Sequence, residues 1–393
     1  MTDVAERLEE LRDRGLYRRL RLIEGPQGPT VTLDGRQVLL LCSNNYLGLA
    51  DRSEVREAAA EAALRWGAGS GASRLISGNM EPHRRLEQRL AAFKGYEASL
   101  LFGSGYLANT GVIAALAGRG EVVFSDELNH ASIVDGCRLS RAETFVYRHA
   151  DPDHLAWGLR RAGEHAALIV TDGVFSMDGD VAPLPELLQL ARSHGALLMV
   201  DEAHATGAVG RGGRGSVSAA GLSGEVDVVV GTLGKALGSY GAYVCASAAI
   251  VDLLVNAARP FIFSTAPPPP AIGAAQAALE LLEAEPEMVE RLQANAALLR
   301  RSLGAAGLEA GGETQVVPIS VGDAEATMAL CELALENGVF AQGIRPPTVP
   351  ESTCRLRLTA MATHRSEGLV AAAHMIGVAA REVGLVAAEP LAA

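Results

Sequence analysis

The stretch Ala196-Leu197-Leu198-Met199-Val200-Asp201-Glu202-Ala203-His204 decides how this chain is read. A continuous apolar run of strand length ends on a carboxylate, followed by a second acid and a histidine. Runs of Val, Leu and Ile without alternation belong to strands covered on both faces by helices, the pattern of a parallel sheet. Similar runs lie outward from it at Ser99 to Phe102, Glu121 to Ser125, Ala167 to Thr171, Val226 to Gly231 and Ala242 to Ala246. Amphipathic segments at Val55 to Arg65, Pro82 to Phe93, Leu107 to Leu116 and Leu184 to Ser193 predict helices between them. The alternation predicts an α/β fold with a mainly parallel central sheet.

Upstream, Val4 to Leu20 reads as a charged helix, and Gly28-Pro29 with Asp34-Gly35 predicts a hairpin leading into Val38 to Leu41. Downstream, the four prolines Pro267 to Pro270 read as a rigid turn before one long helix over Ile272 to Ala305. Beyond it the pieces shorten: Val316 to Val321, Ala324 to Asn337, Arg355 to Thr359 and Glu367 to Val383. This predicts an N-terminal arm over 1–45, a large domain over 46–285 and a small α+β domain over 286–393. No internal repeat is evident.

The 393 residues are 49% apolar and 20% charged, the composition of a globular enzyme. A net charge of -12 argues against nucleic acid as a partner. Met1 to Leu20 is charged throughout, unlike a signal peptide, and no apolar run reaches the roughly 18 residues of a membrane span. The five cysteines (Cys42, Cys137, Cys245, Cys331, Cys354) are scattered with no CxxC pair, which predicts buried thiols in a reducing cytoplasm.

Thirty-four residues after Asp201, Lys235 stands in Thr232-Leu233-Gly234-Lys235-Ala236-Leu237-Gly238. A lysine among glycines, downstream of an aspartate at a strand's carboxyl end, is the pairing that pyridoxal phosphate (PLP) chemistry requires. The amine forms a Schiff base with the cofactor aldehyde, and the carboxylate keeps the pyridine nitrogen protonated. Gly103-Ser104-Gly105-Tyr106 follows a predicted strand and opens a helix, so its amides suit a phosphate, with Thr232 as a second anchor. His130, in Asn129-His130-Ala131-Ser132, is placed to stack on the ring, although a lone histidine is more often packed or on the surface. That default covers His83, His149, His154, His165, His194, His364 and His374. His204 is within reach of the ring hydroxyl, and Ser176 joins that contact.

Asp201 to His204 also spells the DEAH box of certain helicases, which needs a GxxxxGK[ST] loop upstream. Gly234-Lys235 fails that test in spacing and order, and the net charge disagrees. A metal site at Asp201, Glu202 and His204 has no further ligand pair at suitable spacing, so no metal is expected.

Taken together, several motifs give the chain a specific resemblance. They are Ser43-Asn44-Asn45-Tyr46-Leu47-Gly48-Leu49, Gly69 to Gly78, Asn129 to Ser132, Gly173-Val174-Phe175-Ser176-Met177-Asp178-Gly179, Asp201 to His204 and Thr232 to Lys235. Over nearly its whole length the chain resembles the α-oxoamine synthase family of PLP enzymes, of fold type I (aspartate aminotransferase-like). The family condenses an amino acid with an acyl thioester and releases CO2 and an amino ketone. The resemblance implies Lys235 as the Schiff-base lysine, Asp201 as the pyridinium partner, His204 as the ring-hydroxyl contact and His130 as the stacking, substrate-orienting histidine. It implies cofactor contacts at Gly105, Tyr106, Ser176 and Thr232. Ser264 and Thr265 would reach the phosphate from the other subunit, which implies a homodimer. Asn44 and Arg357 would hold the amino-acid carboxylate, Arg357 by a bidentate fork. Ile344 to Pro350 with Arg355 to Thr359 is most similar to members that join L-alanine to a pimeloyl thioester, on CoA or a carrier protein, in biotin biosynthesis. There Thr348 and an N-terminal arginine aligned with Arg18 are substrate contacts, with Arg19 and Arg21 as alternatives. Members that use glycine and acetyl-CoA share much of the same pattern. Tyr240 and Tyr243, where smaller residues are more usual, leave the acyl specificity open.

Overall fold

The structure, a computed structural model, describes residues 4–386. The chain divides into two compact units. The larger is Leu49–Ser176 with Asp180–Glu290; the smaller is the chain up to Gly48, Met177–Gly179 and the chain from Arg291.

The smaller unit begins with β1 (Ile23–Glu24), β2 (Thr30–Leu33) and β3 (Arg36–Leu40). Asp34 and Gly35 join β2 to β3 with φ of 48° and 78°. A two-residue hairpin loop of matching twist demands positive φ at both positions, which Asp-Gly tolerates. The predicted hairpin is therefore present.

The larger unit holds β4 (Ala98–Phe102), β5 (Val122–Asp126), β6 (Glu143–Tyr147), β7 (Ala166–Asp172), β8 (Leu197–Asp201), β9 (Val228–Thr232) and β10 (Ala242–Ala246). They form one sheet in the order β4-β10-β9-β8-β7-β5-β6. Only β10 runs against its neighbours. Leu100, Val123, Leu168, Val170, Met199 and Val228 pack on one face with Val112, Ile113, Ile133 and Leu254 from helices. Each such buried aliphatic side chain contributes about 1.5–3 kcal/mol. β7 and β8 pair so that Asp172 stands beside Asp201. Asp126, Asp172 and Asp201 thus end three parallel strands at their carboxyl ends, where open α/β sheets bind ligands.

The smaller unit continues with β11 (Val316–Gly322), β12 (Val339–Phe340), β13 (Gln342–Ile344) and β14 (Cys354–Thr359). β12 adds to β3 in parallel, and β11-β14-β13 form an antiparallel sheet beside helices Ala324–Glu336 and Ser366–Glu382.

Three expectations are corrected. The helix expected over Val4 to Leu20 stops at Asp13, because Gly15 takes a positive φ of 63°. The helix expected over Ile272 to Ala305 is two, Pro269–Ala284 and Glu287–Ala305. Pro286 has no amide hydrogen to continue the ladder, and its ring pushes Glu285 out of helical geometry (φ -123°, ψ 60°). All five cysteines are free, but Cys42 is only half-buried. β6 and the helices Ala131–Ser140 and Pro152–Ala162 were not anticipated. β6 is an edge strand, exposed along much of its length, so it carries no apolar run. No described helix is long and apolar enough to cross a membrane.

Candidate active site

The larger unit gathers most of the anticipated residues at the carboxyl end of its sheet. Leu198, Met199 and Val200 are fully buried and bring the chain out at Asp201. Asp201 Oδ1 accepts from the Ala203 amide at 2.8 Å and Oδ2 accepts from Asn109 Nδ2 at 2.6 Å. One turn later His204 Nε2 lies 2.7 Å from Lys235 Nζ. The lysine loop leaves β9 through Thr232, whose hydroxyl donates to Gly241 O at 3.0 Å and accepts from the Gly234 amide at 3.2 Å. The Gly238 amide closes back on Lys235 O at 2.9 Å. The chain has only two lysines, Lys94 and Lys235. Lys94 is buried against Glu202, Thr206 and Arg214 O, which leaves Lys235 as the side-chain amine available for covalent chemistry.

The helix Gly105–Leu116 begins on Ser104, whose hydroxyl caps it by accepting from the Leu107 amide. A Cβ added at Gly105 would meet nothing within 4 Å, so an anion can approach that amide end closely. Tyr106 is half-exposed, and its hydroxyl donates to Asp135. His130 caps the next helix, Ala131–Ser140, through Nδ1, and the residue is exposed. Its main-chain amide donates to Asp172 at 2.8 Å. Asn129 staples the same loop, donating to Ser125 Oγ and Val170 O and accepting from the Asp172 amide. Partial burial lowers the His130 pKa; Asp201 pulls the other way and the charge of Lys235 adds to the lowering. Burial and then the neighbouring Asp201 push Asp172 well up.

Ser176 sits in the loop after β7, which the Phe175 amide closes on Asp180 O at 3.0 Å. His149, expected to be a packed or surface histidine, holds this region together. Its ring bridges Asp126 Oδ1 (3.0 Å) and Asp180 Oδ2 (2.7 Å) and stands edge-on to Phe175. Burial opposes its charge, yet the two carboxylates override this and raise its pKa to about 10. That exceeds the ordinary value near 6.5, so the stabilisation is complete below about pH 6.5 and fades as pH rises through about 10. His149→Gln is therefore expected to melt below the wild type at about pH 6.5, with the gap closing by about pH 10.5. Thermal melts across that range measure it, and a gap independent of pH would count against the clamp.

Ser264 and Thr265 lie on a segment pinned to the Gly69–Gly78 motif. The Ala266 amide donates to Ala72 O at 3.0 Å, Thr265 bridges Ser73, and Ser70 Oγ donates to Pro267 O at 2.7 Å. The motif closes into a π-helical turn whose Arg74 forks onto Glu87 at 2.9 and 3.0 Å.

In the smaller unit, Arg357 is buried on β14 with Nη2 3.4 Å from Asn44 Oδ1, which also accepts from the Tyr46 hydroxyl at 3.0 Å. Arg18 and Thr348 line one cavity of about 870 Å³, together with Arg19, Arg21 and Arg345. Arg18 donates to Pro346 O, and Arg21 pairs with Glu332.

The donor set suits PLP: an amine facing an imidazole, a buried carboxylate, a helix amide end with open space, and hydroxyls. Among the described residues no group of three or more His, Cys, Asp or Glu could hold a metal. Residues not anticipated as functional are Asn109, Ser132 and Asp172. Asp172 was legible as a second acid ending a strand and Ser132 as the last residue of the Asn129–Ser132 motif, whereas Asn109 carries no signal of its own.

Comparison with known proteins agrees. The profile of the family "Aminotransferase class I and II" matches residues 36–376. An 8-amino-7-oxononanoate synthase from Citrifermentans bemidjiense is 55% identical over 390 residues, covering 98% of this chain and all of that one. Another from Geobacter sulfurreducens is 56% identical over 391 residues, covering 98% and 99%. Among solved structures, a lysine-to-alanine variant of serine palmitoyltransferase from S. paucimobilis with a bound PLP–myriocin aldimine superposes with a TM-score of 0.92 at 34% identity, covering 98% of each chain. The chain belongs to the fold type I PLP-dependent aminotransferase class I and II family and, within it, to the α-oxoamine synthases most similar to 8-amino-7-oxononanoate synthase.

Proposed function

We propose that the protein joins L-alanine to a pimeloyl thioester, carried on CoA or a carrier protein, and releases 8-amino-7-oxononanoate, CO2 and the free thiol. The whole-length identity to synthases of that name carries this reading. The amine at Lys235, facing His204 beside Asp201, supports the chemistry.

Bound at this site, PLP supplies an electron-accepting ring that stabilises negative charge on the amino acid's α carbon. Lys235 would hold the cofactor aldehyde, and its free amine would take the α proton of alanine. Asp201, fixed by Asn109 and the Ala203 amide, would keep the ring nitrogen protonated. The amide end of Gly105–Leu116, with Thr232, would hold the phosphate; Tyr106 and Ser176 would line the cofactor. Arg357, with Asn44, binds the alanine carboxylate. A bond then forms between the α carbon and the thioester carbonyl as the thiol leaves. The bond to the carboxylate breaks, CO2 departs, and a proton returns to the α carbon. His130 donates a hydrogen bond to the oxygen on which charge develops. Arg18 and Thr348, on their shared cavity, contact the acyl chain.

A homodimer with shared sites fits the exposed apolar side chains of Ile76 and Phe263, 81% and 70% accessible, on segments adjoining Ser264 and Thr265. Five free thiols fit a reducing cytoplasm.

A steady-state panel tests the proposal: alanine or glycine against pimeloyl and acetyl thioesters on CoA and on carrier protein. The expected result is a kcat/KM for alanine with a pimeloyl donor at least about 100-fold above glycine with acetyl-CoA, a gap of about 2.7 kcal/mol. Preference for glycine and the acetyl donor would overturn it.

A further inference from the structure

Four side chains from separate parts of the larger unit form one hydrogen-bonded chain. Asp201 Oδ2 accepts from Asn109 Nδ2 at 2.6 Å, and the same nitrogen donates to Ser132 Oγ at 2.8 Å. Ser132 Oγ lies 2.7 Å from His130 Nδ1, and the Ser132 amide donates to that same nitrogen at 3.2 Å. Asn109 and Ser132 are each only 1% exposed, so water does not compete for these contacts.

The chemistry of the groups sets the proton positions. A carboxylate accepts only, so the Asn109 atom facing Asp201 is its NH2 group, and the second N–H goes to Ser132. Ser132 Oγ, already accepting from Asn109, gives its own hydrogen to His130 Nδ1. A ring nitrogen facing both an N–H and an O–H donor is the bare one, so the imidazole proton sits on Nε2. His130 also caps a helix N-terminus, whose partial positive charge disfavours a second proton on the ring. The charged groups nearest the ring are Asp201 and Lys235, and Asp172 holds its main-chain amide.

We propose that Asn109 and Ser132 are positioning residues that lock His130 as a neutral imidazole with its proton on Nε2 and tether it to the carboxylate of Asp201, so that His130 meets the reactants as a hydrogen-bond donor and not as a base. The catalytic consequence rests on the function proposed above. A base here would compete with Lys235 for the α proton, whereas a fixed donor stabilises charge on a carbonyl oxygen without reorganising. Asp201, which would pair with the cofactor nitrogen, and His130, which would stack on its face, thus share one frame through Asn109 of the helix Gly105–Leu116.

The test is long-range 1H–15N correlation on holoenzyme labelled with 15N-histidine, read for His130 from pH 6 to 8. Wild type is expected to show Nδ1 unprotonated and Nε2 protonated throughout. Ser132→Ala is expected to give mixed tautomers and a kcat about tenfold lower, with KM for alanine changed less than about twofold. Ser132→Thr keeps the hydroxyl and is expected to restore both. Asn109→Ala is expected to weaken PLP binding to the cofactor-free protein about tenfold, read by fluorescence titration. A protonated Nδ1 in wild type would overturn the proposal, as would an Ser132→Ala spectrum and kcat equal to wild type. If wild type turned over no alanine with pimeloyl thioester, the proposed function would fall, and the NMR tautomer would still decide the relay.

Discussion

Lys235→Ala protein is expected to lose the yellow band of the bound cofactor and at least about 10⁴-fold in kcat, while folding as the wild type does. The size follows from two roles in one atom. In the proposed mechanism the Nζ that would anchor the cofactor is the same group that would take the α proton, so no residue nearby replaces it. His204, 2.7 Å away, orients the amine but cannot form the covalent link. Lys94 cannot move in, because it is buried against Glu202. An absorption spectrum and a single-turnover assay of the variant check this. A retained band with activity within tenfold of wild type would contradict the assignment.

The second large effect is on stability. Lys94 and Glu202 form an ion pair with side-chain exposures of 2% and 0%. Glu202 Oε1 also accepts from Ser216 Oγ at 3.0 Å and the Val217 amide at 2.7 Å. Lys94→Met leaves a buried carboxylate without its counter-charge, which costs about 3–5 kcal/mol. Adding Glu202→Gln removes the orphaned charge and keeps an acceptor for Ser216 and Val217, so the double variant is expected to recover more than half of that loss. Urea unfolding of the three proteins measures it. If both variants lost the same amount, the cost would be one of packing and not of charge. Since Glu202 follows Asp201 directly, Lys94→Met should also weaken cofactor binding.

How much of this could be read from the chain alone depends on how local each signal is. Asp201 ends an apolar run and Lys235 stands among glycines, so strand placement and chemistry are both encoded within a few residues. β4, β5 and β7 to β10 were legible because each is buried on both faces and shows it as unbroken apolar sequence. β6 was not, since an edge strand half in water has the composition of a loop. The break at Pro286 lay in plain view, yet the apolar spacing on either side reads as one period. Asn109 is an ordinary helix residue until the fold sets it beside Asp201, 92 positions away. His149 and the Lys94–Glu202 pair are of the same kind: their partners come from distant strands and loops, and no spacing in the sequence announces them. The count of two lysines was the simplest signal available, and it singles out Lys235 once Lys94 is seen to be buried.

The most direct measurement is peptide mass spectrometry of holoenzyme after borohydride reduction, which fixes the cofactor to whatever nitrogen holds it. The prediction is one pyridoxyl phosphate adduct per chain, on the peptide containing Lys235. An adduct on Lys94 or on the N-terminal amine, or reduced holoenzyme with no adduct, would contradict it.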